Sequence, residues 1–290
     1  MEIRVLKYFL TVAREENITR AAEILHITQP TLSRQLMQLE EELGVQLFIR
    51  GKNKITLTDE GMLLRRRADE IVELTDKTER EFQHVDDVVV GEVFIGGGEL
   101  DSMRFLAEII KDFHEEYPQV EFNLHSGNAD DIKERLDRGI IDIGLLAEPV
   151  DISKYDFVRM PQKDVWGVIM PKDCPLAKKE FITPQDLKDQ SLMFSRRSLV
   201  QNEIASWMGD YFDDIQVVVT YNLLYNASLM VEAGLGYAIT LNVVDTSEES
   251  PICFRPLSPK LETGSVIVWK KHQVFSPATT RFINKIKHSF

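Results

Sequence analysis

At 290 residues, with 43% hydrophobic and 28% charged side chains, the chain has the balance of a folded protein and exceeds one ordinary domain of about 100–200 residues. A disordered chain and a small disulfide-stapled scaffold are excluded, and the only two cysteines, Cys174 and Cys253, form no CxxC and lie near no histidine pair, so neither a disulfide framework nor a metal site is expected. The net charge of −13 would argue against nucleic acid only if evenly spread, but residues 1–60 hold eight basic and nine acidic groups while those beyond 90 hold 21 and 30.

Glu2, Arg4 and Lys7 leave no apolar run at the start, so no signal peptide is expected. The stretch 215–231 is broken by Gln216, Thr220, Asn222 and Asn226 and falls short of a membrane span. These features point to a cytoplasmic protein without a membrane partner.

Ile3, Leu6, Phe9, Leu10, Val12 and Ala13 recur at helical spacing and predict a first helix ending near residues 15–17. A second follows, capped by Asn17 or Thr19, with Ala21, Ala22, Ile24 and Leu25 facing inward, and a turn at His26-Ile27-Thr28. Thr28 suits the cap of a third helix with Pro30 in its first turn. Leu32, Leu36 and Leu39 then face inward, leaving Gln29, Thr31, Ser33, Arg34, Gln35 and Gln38 outward. Two helices joined by a three-residue turn, the second exposing amide, hydroxyl and guanidinium groups near its start, have the chemistry of a major-groove reader. Gln46–Ile49 and Lys54–Leu57 alternate as two short strands, a wing whose tip carries Arg50, Lys52 and Lys54 for flanking phosphates.

Thr58-Asp59-Glu60 opens a long helix expected to run to about Asp87. Along it Leu64, Ala68, Ile71, Thr75, Thr78, Phe82 and Val85 fall at alternating spacings of four and three, a heptad seam that wants a second helix. Arg65, Arg66 and Arg67 are followed at once by Asp69 and Glu70 and read mainly as a solvated face.

From Gly91 the pattern becomes alternating strands and helices. Strands are expected at 93–95, 120–124, 141–146, 165–170, 192–194, 215–220, 237–241 and 266–269. Ser102, Asn128, Ser198, Asn226 and Ser276 are the expected helix caps. The grammar repeats, which predicts two similar α/β lobes, the first of about 91–161 and 266–290 and the second of about 162–265, with a cleft between them. Open α/β sheets bind ligands beyond the carboxyl ends of their strands, where helix amino ends point. Those positions hold Gly98, Glu99, Ser102, Ser126, Gly127, Asn128 and Ala147 in the first lobe, and Ser195, Arg196, Asn226 and Ala227 in the second. Helix amino ends beside the Arg196-Arg197 pair favour a small anionic or zwitterionic ligand. Glu99 in the same cleft would pair with an arginine or select a ligand that also carries an amine.

Gly96-Gly97-Gly98 does not complete a dinucleotide fingerprint, since Asp101 stands where its last glycine belongs. His114, His125 and His272 have no spacing for a metal or a triad, and no serine sits in a G-x-S-x-G elbow, so no cofactor and no catalytic group is expected.

The segment YFLTVAREENITRAAEILHITQPTLSRQLMQLEEELGVQLFIR closely resembles the amino-terminal module of LysR-type transcriptional regulators, through Ala21-Ala22, Gln29-Pro30-x-Leu32-Ser33, Leu39-Glu40 to Leu43-Gly44, and Leu47-Phe48-x-Arg50. The match is close over residues 2–65 and follows element order beyond. The resemblance implies an α/β protein with a winged helix-turn-helix DNA-binding domain (1–60), a linker helix (58–87) that pairs two subunits, and a two-lobed effector domain (91–290) like periplasmic substrate-binding proteins. It further implies promoter DNA and a small-molecule effector as partners, RNA polymerase if the chain is an activator, and a homotetramer built as a dimer of dimers. An enzyme or a solute-binding protein built on the carboxy-terminal lobes is the alternative; the first lacks a nucleophile–base pair or cofactor loop, and the second would need export.

Overall fold

The structure, a computed structural model, describes residues 1–50, 55–81 and 89–290 and divides into two compact units, residues 1–83 and 84–290. In the first unit α1 (Ile3–Glu15), α2 (Ile18–Ile24) and α3 (Gln29–Leu43) are followed by strands β1 (Phe48–Arg50) and β2 (Ile55–Leu57) and by the long α4 (Asp59–Glu81). Its core is the apolar set read from spacing: Leu6, Phe9 and Val12 of α1, Ala21 and Ala22 of α2, and Leu32, Leu36 and Leu39 of α3 are all buried. Ile3 and Ile24 depart from it, at 42% and 44% exposed, because each falls at a helix terminus beyond the reach of the opposing helix.

Asn17 caps α2 by accepting the Arg20 amide, whereas Thr28 stands at the cap of α3 but makes no such bond. Gly44 ends α3 at φ +70°, a left-handed conformation that costs a residue with a Cβ more than it costs glycine. One side chain then ties α3 to the wing: Glu40 Oε1 accepts the amides of Leu47 at 2.8 Å and Phe48 at 3.2 Å. The hydroxyl of Thr58 donates to Gln46 O and accepts the Gly61 amide, bringing the start of α4 so close to this loop that a Cβ on Gly61 would lie 2.2 Å from Leu47 O.

The second unit holds two sheets. The first has strand order β4-β3-β5-β13-β6, from β3 (Gly91–Gly97), β4 (Val120–Ser126), β5 (Ile143–Ala147), β6 (Tyr155–Arg159) and β13 (Ser265–Lys270). β3 runs parallel to β4 and β5, and β13 antiparallel to β5 and β6. The second sheet, β11-β7-β10-β8-β9, comprises β7 (Asp164–Pro171), β8 (Ser191–Ser195), β9 (Gln216–Tyr221), β10 (Tyr237–Leu241) and β11 (Ile252–Pro256), with the short β12 (Glu262–Thr263) on β7. Helices α5 (Met103–Glu116), α6 (Ala129–Asp137) and α9 (Pro277–His288) accompany the first sheet, and α7 (Ser198–Met208) and α8 (Leu224–Glu232) the second.

The chain passes from the first sheet to the second between β6 and β7 and returns between β12 and β13. Where it crosses, β12 pairs with β7, Thr263 opposite Asp164. Strands β6, β11 and β12 escaped the sequence reading. In β6 only Tyr155 is buried while Phe157 is 44% exposed, so this edge strand carries no inward alternation. Asn226 does not cap α8, which begins two residues earlier with Leu223 at its cap, because Leu224 is drawn into the core. Ser198 is likewise inside α7, and Ser102 caps α5 by position alone. Asn128 and Ser276 are caps as expected, the former in a capping box with Asp131.

Because Glu40 accepts both the Leu47 and the Phe48 amide, Glu40→Ala leaves two donors without that partner, a cost of about 1–3 kcal/mol. Hydrogen exchange on the full chain is expected to show the Leu47 and Phe48 amides losing protection in this variant; unchanged protection contradicts the clamp.

Candidate functional site

The exposed start of α3 is the first candidate surface. No acidic residue occupies its first turn, so the positive end of the helix dipole is unmasked. Gln29, Thr31 and Arg34 are exposed and Ser33 half-exposed. They are paired locally: Thr28 and Thr31 share a hydroxyl hydrogen bond of 2.8 Å, and Gln29 Nε2 donates to Ser33 Oγ at 2.9 Å. Such exposed bonds exchange readily with a partner's acceptors and donors. Gln35 differs, lying half-buried in a polar groove with Glu2, Arg4, Gln38 and Glu42. β1 and β2 pair antiparallel, Arg50 opposite Ile55, with Arg50 on the last ladder position before the tip. Lys52 and Lys54 lie outside the described residues.

Helix α4 divides its apolar groups between two faces. Ala68 is fully buried, and Leu64 and Val72 pack beside it on the module's own core, against α1. The Leu64 and Ala68 part of the expected seam is therefore used within the chain, since the helix needs that face to hold α1. Ile71, 37% exposed, stays open together with Leu63 and Leu74. Thr75 and Thr78 return their hydroxyls to the carbonyls of Ile71 and Leu74. Phe82 and Val85 lie outside the described residues.

In the second unit a cavity of about 90 Å³ opens between the two sheets, beyond the carboxyl ends of β3, β5 and β8. Of the residues expected there, Gly98, Glu99, Asn128, Ala147 and Ser195 line it. Its walls are otherwise mainly apolar, with Leu100, Leu145, Trp166, Val200, Leu241 and Val243.

Six expected residues are elsewhere. Ser102 is buried beneath the α5 start, its hydroxyl without a partner, and Gly127 is buried behind Asn128. Ser126 is exposed and borders a separate open groove with Gly97, Arg104 and Asn242. Asn226 is exposed on the first turn of α8, and Ala227 packs under the second sheet. Arg196 points away from the cavity toward Asp131 Oδ1, at 3.4 Å, because consecutive residues leaving a strand face opposite ways.

Its neighbour Arg197 takes the cavity wall. The Arg197 side chain is 5% exposed, donates Nη2 to Pro149 O at 2.9 Å and faces Asp130 at 3.5 Å. Opposite, Glu99 accepts the backbone amide of Leu224, the first residue of α8, with its Oε2. Glu99 thus meets a helix amino end and not an arginine, correcting that expectation. Glu148 faces Arg159 at 3.3 Å. The Tyr221 hydroxyl donates to Ile239 O, and burial pushes its pKa up, so it stays a protonated donor. Sequence pattern offers no signal for the apolar wall residues or for Arg197 over Arg196.

Among the described residues no group of three or more His, Cys, Asp and Glu is placed to hold a metal ion, and no helix is long and apolar enough to cross a membrane. Cys174 and Cys253 are unpaired, Cys253 buried and Cys174 half-buried.

Two family models match the chain: a bacterial regulatory helix-turn-helix of the lysR family over residues 3–62, and a LysR substrate binding domain over 87–290. The Hca operon transcriptional activator HcaR of Escherichia coli K12 is 29% identical over 98% of this chain and 96% of its own length. The transcriptional regulator AlsR of Bacillus subtilis 168 is 32% identical over 74% and 69%. Among solved structures, the LysR family regulator CbnR matches with a TM-score of 0.78 at 22% identity, covering 100% of this chain and 99% of CbnR. Full-length CbnR complexed with its target DNA matches at 0.76, with 22% identity and complete coverage of both chains. With residues 3–62 matching one LysR family model and 87–290 the other, this protein is a LysR-type transcriptional regulator.

Proposed function

We propose that the chain binds promoter DNA through α3 and the wing, and that a small anionic or zwitterionic effector in the cleft of the second unit controls it. The observation that carries this reading is the exposed, acid-free start of α3, where Gln29, Thr31, Ser33 and Arg34 stand on a rigid leucine core. Gln29 and Arg34 have the donor and acceptor sets for adenine and guanine edges, while Arg50, Lys52 and Lys54 of the wing suit phosphates. Regulation is then linkage: the effector shifts the quaternary state by its difference in affinity for two states. The protein acts in the cytoplasm, is not an enzyme, pairs through the open face of α4 around Ile71, and assembles further into a homotetramer. RNA polymerase is a partner if the chain activates.

On an operator selected from random DNA by the wild-type protein, Arg34→Ala is expected to cost about 1–3 kcal/mol and to relax specificity at one base pair. Lys52→Ala is expected to weaken all sequences alike and flatten the salt dependence by about one unit. Gel shifts showing wild-type binding in both variants contradict the assignment.

Ile71→Asp places a charge on the open face of α4, where pairing would strip it of water. Sedimentation of the full chain is expected to show a smaller assembly than wild type, and an unchanged one means that α4 does not pair subunits through Ile71. For the effector, calorimetry of the full chain against organic acids, amino acids and sugar phosphates is expected to find binding among the charged compounds; binding by neutral apolar compounds alone refutes the electrostatic part of the reading.

A further inference from the structure

Three anion-attracting positions around the cleft are met by the protein's own carboxylates. Glu99, on the loop after β3 of the first sheet, caps α8 of the second. Asp131 and Asp130, on α6 beside the first sheet, face Arg196 and Arg197, which follow β8 of the second. All three contacts run from lobe to lobe, with the acid always on the first. They differ in setting: the Arg196 and Asp131 side chains are 55% and 37% exposed, whereas Glu99 meets an amide whose residue, Leu224, is buried. A carboxylate there is held by the unpaired N–H and dipole of a nine-residue helix, in a place where water competes poorly.

We propose that Glu99 is a tethered ligand: its carboxylate fills the anion site at the amino end of α8, ties the two lobes together across the cleft, and is displaced by the carboxylate of an anionic effector. Two observations support this besides the helix end. A carboxylate from the opposite lobe is seated on it, and Gly98, Glu99, Asn222, Leu223 and Leu224 all line the cavity, so donor and occupant share the space a ligand enters. At the Leu224 amide one carboxylate replaces another while the Glu99 carboxylate turns to solvent, so the net gain comes from how well the rest of the ligand fits the apolar wall of Leu100, Leu145, Val200 and Val243. It also supplies the linkage, because a Glu99 released from Leu224 no longer ties the lobes together. The displacement step rests on the reading of the cleft as the effector site; the seating of Glu99 does not.

The test is chemical rescue in the full chain, with acetate as the probe. Trp166, Trp207 and Trp269 are the only tryptophans and all lie in the second unit, so the thermal transition seen by tryptophan fluorescence reports that unit alone. Glu99→Ala is expected to lower the midpoint by about 2–4 °C. Sodium acetate, compared with sodium chloride at equal ionic strength, is expected to restore much of this loss in Glu99→Ala and to leave wild type unmoved. A wild-type midpoint in Glu99→Ala, or acetate acting equally on both proteins, overturns the proposal. Should Glu99→Ala not fold, Glu99→Gln keeps the shape and removes the charge; a lowered midpoint supports the tethered anion and an unchanged one refutes it. If acetate rescues but no organic acid binds wild type, Glu99 is seated as described and the effector reading is what fails.

Discussion

An ionised group taken out of water needs a partner, and the cleft of the second unit is arranged by that requirement. Arg197 is nearly inaccessible and is met by Pro149 O and Asp130. The amino end of α8 is met by Glu99. A buried guanidinium stripped of its partners would cost more than the contacts gain, so Arg197 stays held to Pro149 O and Asp130, and Glu99 satisfies an amide that would otherwise need water. These polar contacts stand beside an apolar core that takes in residues of both sheets, among them Ile95, Leu145, Val168 and Leu192. The chain crosses between the sheets only at the β6–β7 and β12–β13 connections, so contacts across the cleft have leverage over the angle between the lobes.

The first unit follows the opposite rule. Its polar groups at the start of α3 lie in water and bond one another singly, Thr28 with Thr31 and Gln29 with Ser33. Exposed bonds of this kind contribute little, so each group is free to exchange its neighbour for another partner at small cost. Rigidity comes from beneath, from Leu32, Leu36 and Leu39, and from Glu40, which holds the wing in register with the helix. The same economy shapes α4, which gives one face to α1 and leaves Ile71, Leu63 and Leu74 exposed on another.

Legibility in the sequence tracked how local the determinant was. The helical periodicity of the first unit, the caps at Asn17, Asn128 and Ser276, and the strand Tyr237–Leu241 depend on neighbours a few residues away and were readable. β6 was not, because its burial is set by β13 more than a hundred residues later. In the cleft, Gly98, Glu99, Asn128, Ala147 and Ser195 followed from the rule about strand ends. The same rule offers Arg196 and Arg197 together: adjacent arginines leaving a strand face opposite ways, and only the tertiary position of α6 decides which meets the cavity. The heptad on α4 was legible as a pattern, but which of its faces α1 would claim was a tertiary matter, and Ala68 went inward. That the cleft holds the charge of Glu99 is legible in the sequence; its seat on a backbone amide 125 positions along the chain is set by tertiary structure alone.

The account turns on whether an effector replaces Glu99 or binds beside it. A crystal structure of the full chain with an organic acid selected by calorimetry decides between these directly. The account predicts the acid's carboxylate on the Leu224 amide, with the Glu99 side chain swung away and the lobes rotated apart. An acid bound in the cavity while Glu99 still accepts from Leu224 would contradict it.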